Sequence, residues 1–162
     1  MILGFLAGAA MLGNTFVFPI DASPKAPIDN IVELESHFVN SNRWGLELSD
    51  DDIDLLYRIC YHEANNQSDS GVQAVAEVVL NRVASNKFPN TVKGVLFAPR
   101  QFCSEKELRK TPSSERIEEI VNKLVWGESE YVLSPYAMYF QTTPTGDKSE
   151  IKLDDQYFRR NY

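Results

Sequence analysis

Three reactive side chains crowd into four consecutive positions of this 162-residue chain, Cys60, His62 and Glu63. A zinc-binding helix of the His-Glu-x-x-His kind needs a second imidazole one turn after the first. The position four after His62 is Asn66, and His37 is the only other histidine, so a His-rich metal site cannot be built. A thiol nucleophile with an imidazole base fares no better. Two residues apart on a helix, Cys60 and His62 point about 200° away from each other, and they meet only if the helix unwinds. Glu63 remains. At about 100° per residue it shares a helix face with Leu56 and Cys60, the side that otherwise wants burial. A carboxyl there either finds a partner, as most helix-end glutamates do, or has its ionised form disfavoured. In the second case it can serve as a general acid near neutral pH.

Two helices must hold that carboxyl. The first opens at Ser49-Asp50-Asp51-Asp52, where Ser49 can cap and Asp52 occupies the third helical position. This acidic triplet is consecutive and lacks the alternating ligands of a calcium loop, so it reads as helix capping. After a polar break, Ser70 and Gln73 have capping-box spacing, and Val72, Val75, Ala76, Val79, Leu80 and Val83 recur at i, i+3, i+4 and i+7. With Ala74 and Val78 also apolar, this second helix must be largely surrounded. Beyond it, Thr91 caps a brief helix containing Val92, Val95 and Leu96, and Arg100-Gln101-Phe102 forms a loop. Thr111-Pro112 starts another helix by the proline-first rule, with Ile117, Ile120, Val121, Leu124 and Val125 on one face and Gly127 near its end. Tyr136 to Gln141 is aromatic and extended, and Ile151 to Tyr162 supplies a terminal strand.

Composition bounds the rest. A hydrophobic content of 43% over 162 residues suits one domain with a proper core and an N-terminal extension. The net charge of -7 argues against a nucleic-acid partner, which needs clustered Lys and Arg. Residues 1–20 carry no charge and read as a signal peptide or an N-terminal membrane anchor; both readings stay open, since a basic leader and a small-x-small cleavage site are missing. Residues 21–44, with Pro24 and Pro27, read as a linker with a possible short helix. Cys60 and Cys103 are the only cysteines, and their spacing leaves both a bridge and two thiols open.

Four pieces in order, Tyr61-His62-Glu63-Ala64-Asn65-Asn66-Gln67, Val75 to Val83, Phe88 to Phe97, and Gln101-Phe102, resemble the catalytic domain of the SleB-type cell-wall hydrolases, the spore cortex-lytic enzymes. The resemblance implies a mainly helical, lysozyme-like and lytic transglycosylase-like α+β domain over residues 45–162, with a small strand region near the C-terminus. It implies cleavage of the N-acetylmuramic acid to N-acetylglucosamine bond of peptidoglycan with Glu63 as the catalytic acid and then base, without metal or cofactor. Gln101 and Phe102, from the family's Gln-Phe motif, and Tyr139 and Gln141, from its aromatic strand, are the implied substrate-binding residues. The protein would be an exported or membrane-anchored monomer, bacterial or phage-encoded, working on glycan strands outside the cytoplasm. Two other outcomes are kept open, a peptidoglycan-binding module that no longer cleaves, and a hydrolase using water, for which Asp69 and Glu77 are the nearest second carboxylates in sequence. The chain departs from the family's Gly-x-His-x-Phe element, where it reads Asp154-Asp155-Gln156-Tyr157-Phe158. Because the acidic chain gains nothing from long-range attraction to an anionic wall polymer, binding must come from a local groove.

Overall fold

The helix of Val72 to Val83 becomes the axis of the molecule because it has no face to give to solvent. In the computed structural model, which describes residues 42–160, it is α2 (Asp69–Val83), and every residue from Gly71 to Val83 is buried. Four elements take its sides: α1 (Asp50–Ala64), α3 (Val92–Leu96), α5 (Glu115–Val125) and strand β1 (Ala137–Gln141). A short α4 (Glu105–Leu108) rests on α1. Strands β2 (Ile151–Leu153) and β3 (Gln156–Arg160) complete an antiparallel sheet of order β1-β3-β2. The fold is therefore α+β and mainly helical with a small C-terminal sheet. Residues 1–41, with the expected signal or anchor segment and most of the linker, lie outside the described residues. Within the described residues no helix is long and apolar enough to cross a membrane.

The caps explain most boundaries. Ser49 and Asp52 form the reciprocal capping box expected of α1, and Thr91 caps α3. Two starts differ from the expectation. α2 begins after Ser68, not Ser70, because Ser68 accepts from Gly71 N while its own N–H and Oγ–H donate to Asp154 Oδ2 at 2.9 and 2.6 Å. Gln73, released from capping, donates instead to Glu77 Oε1 and to the Glu130 carbonyl. α5 begins after Ser114, whose Oγ accepts from Ile117 N, so Pro112 precedes the helix instead of opening it. The terminal segment folds as two strands rather than one, turning at Asp154 with φ 50. Asp tolerates this left-handed conformation better than most residues. Gly71 is required by the same contact, since a Cβ there would stand 2.6 Å from Asp154 Oδ2.

The packed structure begins ahead of residue 45. Asn42 donates to the Val125 carbonyl, and Arg43 reaches Glu77 and Asn81, each at 3.1 Å. Both cysteines are free thiols. Cys60 is fully buried under α2 and burial pushes its thiol far up; Cys103 is half-buried and raised less. A thiol reagent should therefore modify one cysteine of the native protein, Cys103, and reach Cys60 only on unfolding. A native protein with no titratable thiol after denaturation would instead establish a bridge.

Candidate active site

α1 ends at the mouth of a cleft of about 340 Å³ lined by Glu63, Arg82, Gln101, Phe102, Phe140, Gln141, Thr142 and Gln156. Glu63 sits in the last turn of α1, its side chain 26% exposed. Burial raises its pKa above the usual carboxylate value, and the opposing pull of His62, whose Nε2 lies 3.8 Å away, is the smaller effect. Among the described residues it is the one carboxylate lining this cleft. The two other carboxylates nearest in sequence are engaged elsewhere. Asp69 pairs with Arg116 at 2.8 Å on the surface. Glu77 is fully buried and accepts from Arg43 Nη2, Gln73 Nε2, Val132 N and Leu133 N.

Gln156 holds the helix end that carries Glu63. Its Nε2 donates to the Glu63 carbonyl at 3.0 Å, satisfying one of the acceptors that a helix C-terminus leaves open. Its Oε1 is buried without a partner. Glutamine thus does, without any possibility of changing charge, an anchoring job next to Glu63 at the position where the family element has histidine. The neighbouring departure is accommodated too, because Asp154 stands in the left-handed conformation that explains a glycine there and turns its carboxylate onto Ser68.

The opposite wall is aromatic. Phe102 faces Phe140 at 6.2 Å, and Phe140 stacks on the core ring of Phe158 at 5.6 Å. Gln101 and Gln141 stand on the rim, Gln101 accepting from Arg82 Nη1 at 3.0 Å and Gln141 donating to the Thr143 carbonyl. Of the residues expected at a site, Glu63, Gln101, Phe102 and Gln141 come together in this cleft. Tyr139 does not line it. A register irregularity between Ala137 and Tyr139 and the alternation of β1 set its ring against Phe88, Arg159 and Arg82. Arg82 is the residue that the sequence understates. It lies in a run that reads as the end of a buried helix, yet it lines the cleft while only 5% exposed. Among the described residues no three His, Cys, Asp or Glu side chains converge on a metal site.

Known proteins share this arrangement of elements. The structure superposes on the catalytic domain of the germination-specific lytic transglycosylase SleB from Bacillus anthracis with a TM-score of 0.58 and 30% identity, covering 70% of this chain and 97% of that one. The catalytic domain of the Bacillus cereus SleB protein gives the same TM-score at 27% identity over 93% of its length. Spore cortex-lytic enzymes of Bacillus cereus and Bacillus subtilis are 48% and 45% identical over 56 residues, which is 35% of this chain. The chain spans about a fifth of the length of these relatives, 22% and 18%. A family model described as Cell Wall Hydrolase matches residues 66–159, starting just past Glu63 and taking in the Gln101 loop and all of the sheet but its last residue, Arg160. With more than half of its length matched by that model, the chain belongs to the cell wall hydrolase family.

Proposed function

We propose that this domain cleaves peptidoglycan glycan strands as a lytic transglycosylase, at the N-acetylmuramic acid to N-acetylglucosamine bond. The observation that carries the reading is the single, partly buried carboxylate of the cleft. Hydrolysis with inversion or retention uses two carboxyl groups flanking the scissile bond. Intramolecular transfer needs one. Glu63, protonated, donates its proton to the glycosidic oxygen as the bond from C1 to that oxygen breaks. The resulting carboxylate then takes the proton of the 6-hydroxyl of the same muramyl sugar, and O6 bonds to C1, closing a 1,6-anhydro ring. Atoms and charge balance without water. Burial of Glu63 supports the first step by keeping the proton on the carboxyl at higher pH, and Phe102 and Phe140 supply an apolar wall for a sugar ring. Gln101 and Gln141 offer rim hydrogen bonds to its hydroxyls. Tyr139 takes part indirectly, by its contact with Arg82. The substrate places the site of action outside the cytoplasm.

Isolated peptidoglycan incubated with the protein, its soluble fragments weighed by mass spectrometry, tests the reading. Anhydromuramic ends from the parent and none from Glu63→Gln are the expected result. Reducing ends would mean hydrolysis by water, and polymer binding without fragments would mean a binding module.

A further inference from the structure

Arg82 is a cation in an unusual setting. Its guanidinium is ringed by Phe88 and Phe102, each centroid 5.3 Å from Cζ, and by Tyr139 at 5.6 Å. Nε donates to the Met138 carbonyl at 2.7 Å and Nη1 to Gln101 Oε1 at 3.0 Å. No carboxylate pairs with it among the described residues, whereas Arg43, which reaches the middle of α2 from outside the helix, is held by Glu77. Burying a guanidinium without a counter-charge is costly, and here only carbonyl oxygens and ring faces offset that cost. The remaining nitrogen, Nη2, has no acceptor among the described residues, and it is not sealed away as Arg43 Nε and Gln156 Oε1 are. Arg82 lines the cleft that Glu63 enters, so its guanidinium borders the space a substrate would fill.

We propose that Arg82 is a specificity-determining residue of the cleft, and that Nη2 binds the lactyl carbonyl or carboxylate oxygen that distinguishes a muramyl sugar from a glucosaminyl one. The inference rests on the reading of the cleft as a glycan site and names which sugar it selects. The two sugars share their ring and acetamido group, so only a group aimed at the lactyl ether can tell them apart. A guanidinium fixed by Met138 and Gln101 has lost its freedom before the ligand arrives, which favours a directed bond to oxygen. In a chain of net charge -7, it also provides the local attraction for an anionic polymer that the overall charge denies.

The test reads binding, not cleavage, and uses the full chain carrying Glu63→Gln. N-acetylmuramic acid, its L-alanine amide and N-acetylglucosamine are titrated by NMR. Both muramyl probes are expected to bind at least about tenfold more tightly than N-acetylglucosamine, the carboxylate form the tighter of the two. Arg82→Lys, with its melting transition checked, should remove most of that preference, because an ammonium cannot keep the Met138 and Gln101 bonds while reaching the lactyl oxygen. Equal affinities for the three probes, or a preference that survives in folded Arg82→Lys, would overturn the assignment. Where Arg82→Lys fails to fold, the Arg82 Nε–H signal of the Glu63→Gln chain decides. It should shift on adding N-acetylmuramic acid and stay in place with N-acetylglucosamine, and a signal that stays in place with both would also overturn it. Muramyl preference in a protein that releases no fragments would defeat the proposed cleavage and leave this inference standing.

Discussion

Glu77→Ala is expected to lower the unfolding free energy by about 3–5 kcal/mol, a large share of the roughly 5–15 kcal/mol of an ordinary domain. Glu77 sits at the middle of α2 with no exposure, and its two oxygens accept from four donors. Two of these are the backbone N–H groups of Val132 and Leu133, in the irregular segment between α5 and β1, where no ladder offers another acceptor. A third is Arg43, which also binds the Leu133 carbonyl at 2.7 Å and lies over the rings of Trp44 and Tyr131. Truncation leaves the Arg43 guanidinium without its counter-charge and the two peptide donors without their acceptor. Glu77→Gln should fall between, because one of its two polar atoms becomes a donor facing donors. Urea unfolding of both variants and of Arg43→Ala measures this. A Glu77→Ala unfolding free energy within about 1 kcal/mol of the parent would refute the central role given to this carboxylate.

The same residue shows where sequence reasoning stops. Helical spacing marks α2 as largely surrounded, because Val72, Val75, Ala76, Val79, Leu80 and Val83, with Ala74 and Val78, spread apolar side chains around most of the helix. It does not say what Glu77 and Arg82, on that buried helix, bind to. Of their partners beyond the helix, Val132, Leu133 and Met138 lie 55 or more residues away, and Arg43 and Gln101 lie 34 and 19 away. Local rules placed the caps at Ser49 and Thr91, where all the bonding atoms lie within one turn. They misplaced the start of α2, since Ser68 outcompetes Ser70 through Asp154, 86 positions on. For the site, a charge on an apolar helix face makes Glu63 a local anomaly, and it is the family resemblance that marks it as the candidate acid. Gln101, Phe102 and Gln141 were legible through the family resemblance and meet in space beside it. Tyr139 was misread as a cleft residue because a strand's facing depends on its register, and the irregularity opposite Arg159 and Arg160 leaves no sign in the sequence.

Glu63→Gln is expected to abolish fragment release, by about a thousandfold or more, and at the same time to stabilise the fold above neutral pH. The loss follows from chemistry, since an amide can neither give up a proton to the glycosidic oxygen nor recover one from the 6-hydroxyl. The gain follows from linkage. Burial raises the pKa of Glu63 in the folded protein above its unfolded value, so the folded state holds more protons in the window between the two. Stability contributed by this group is full below the unfolded pKa and is lost as pH rises through the folded one. A neutral glutamine of the same shape escapes that loss. Parent and variant should thus melt together near pH 4, with the variant ahead by roughly 2 °C at pH 8. Activity of the parent should fall over the same interval in which its stability penalty develops, because both follow deprotonation of one carboxyl. An activity that stayed level through that interval would separate the proton donor from Glu63, whatever the melting curves showed. A group that costs the fold stability at working pH and sits alone in the cleft is the expected signature of a catalytic acid, and the paired pH profiles of melting and cleavage measure that cost and its use on one axis.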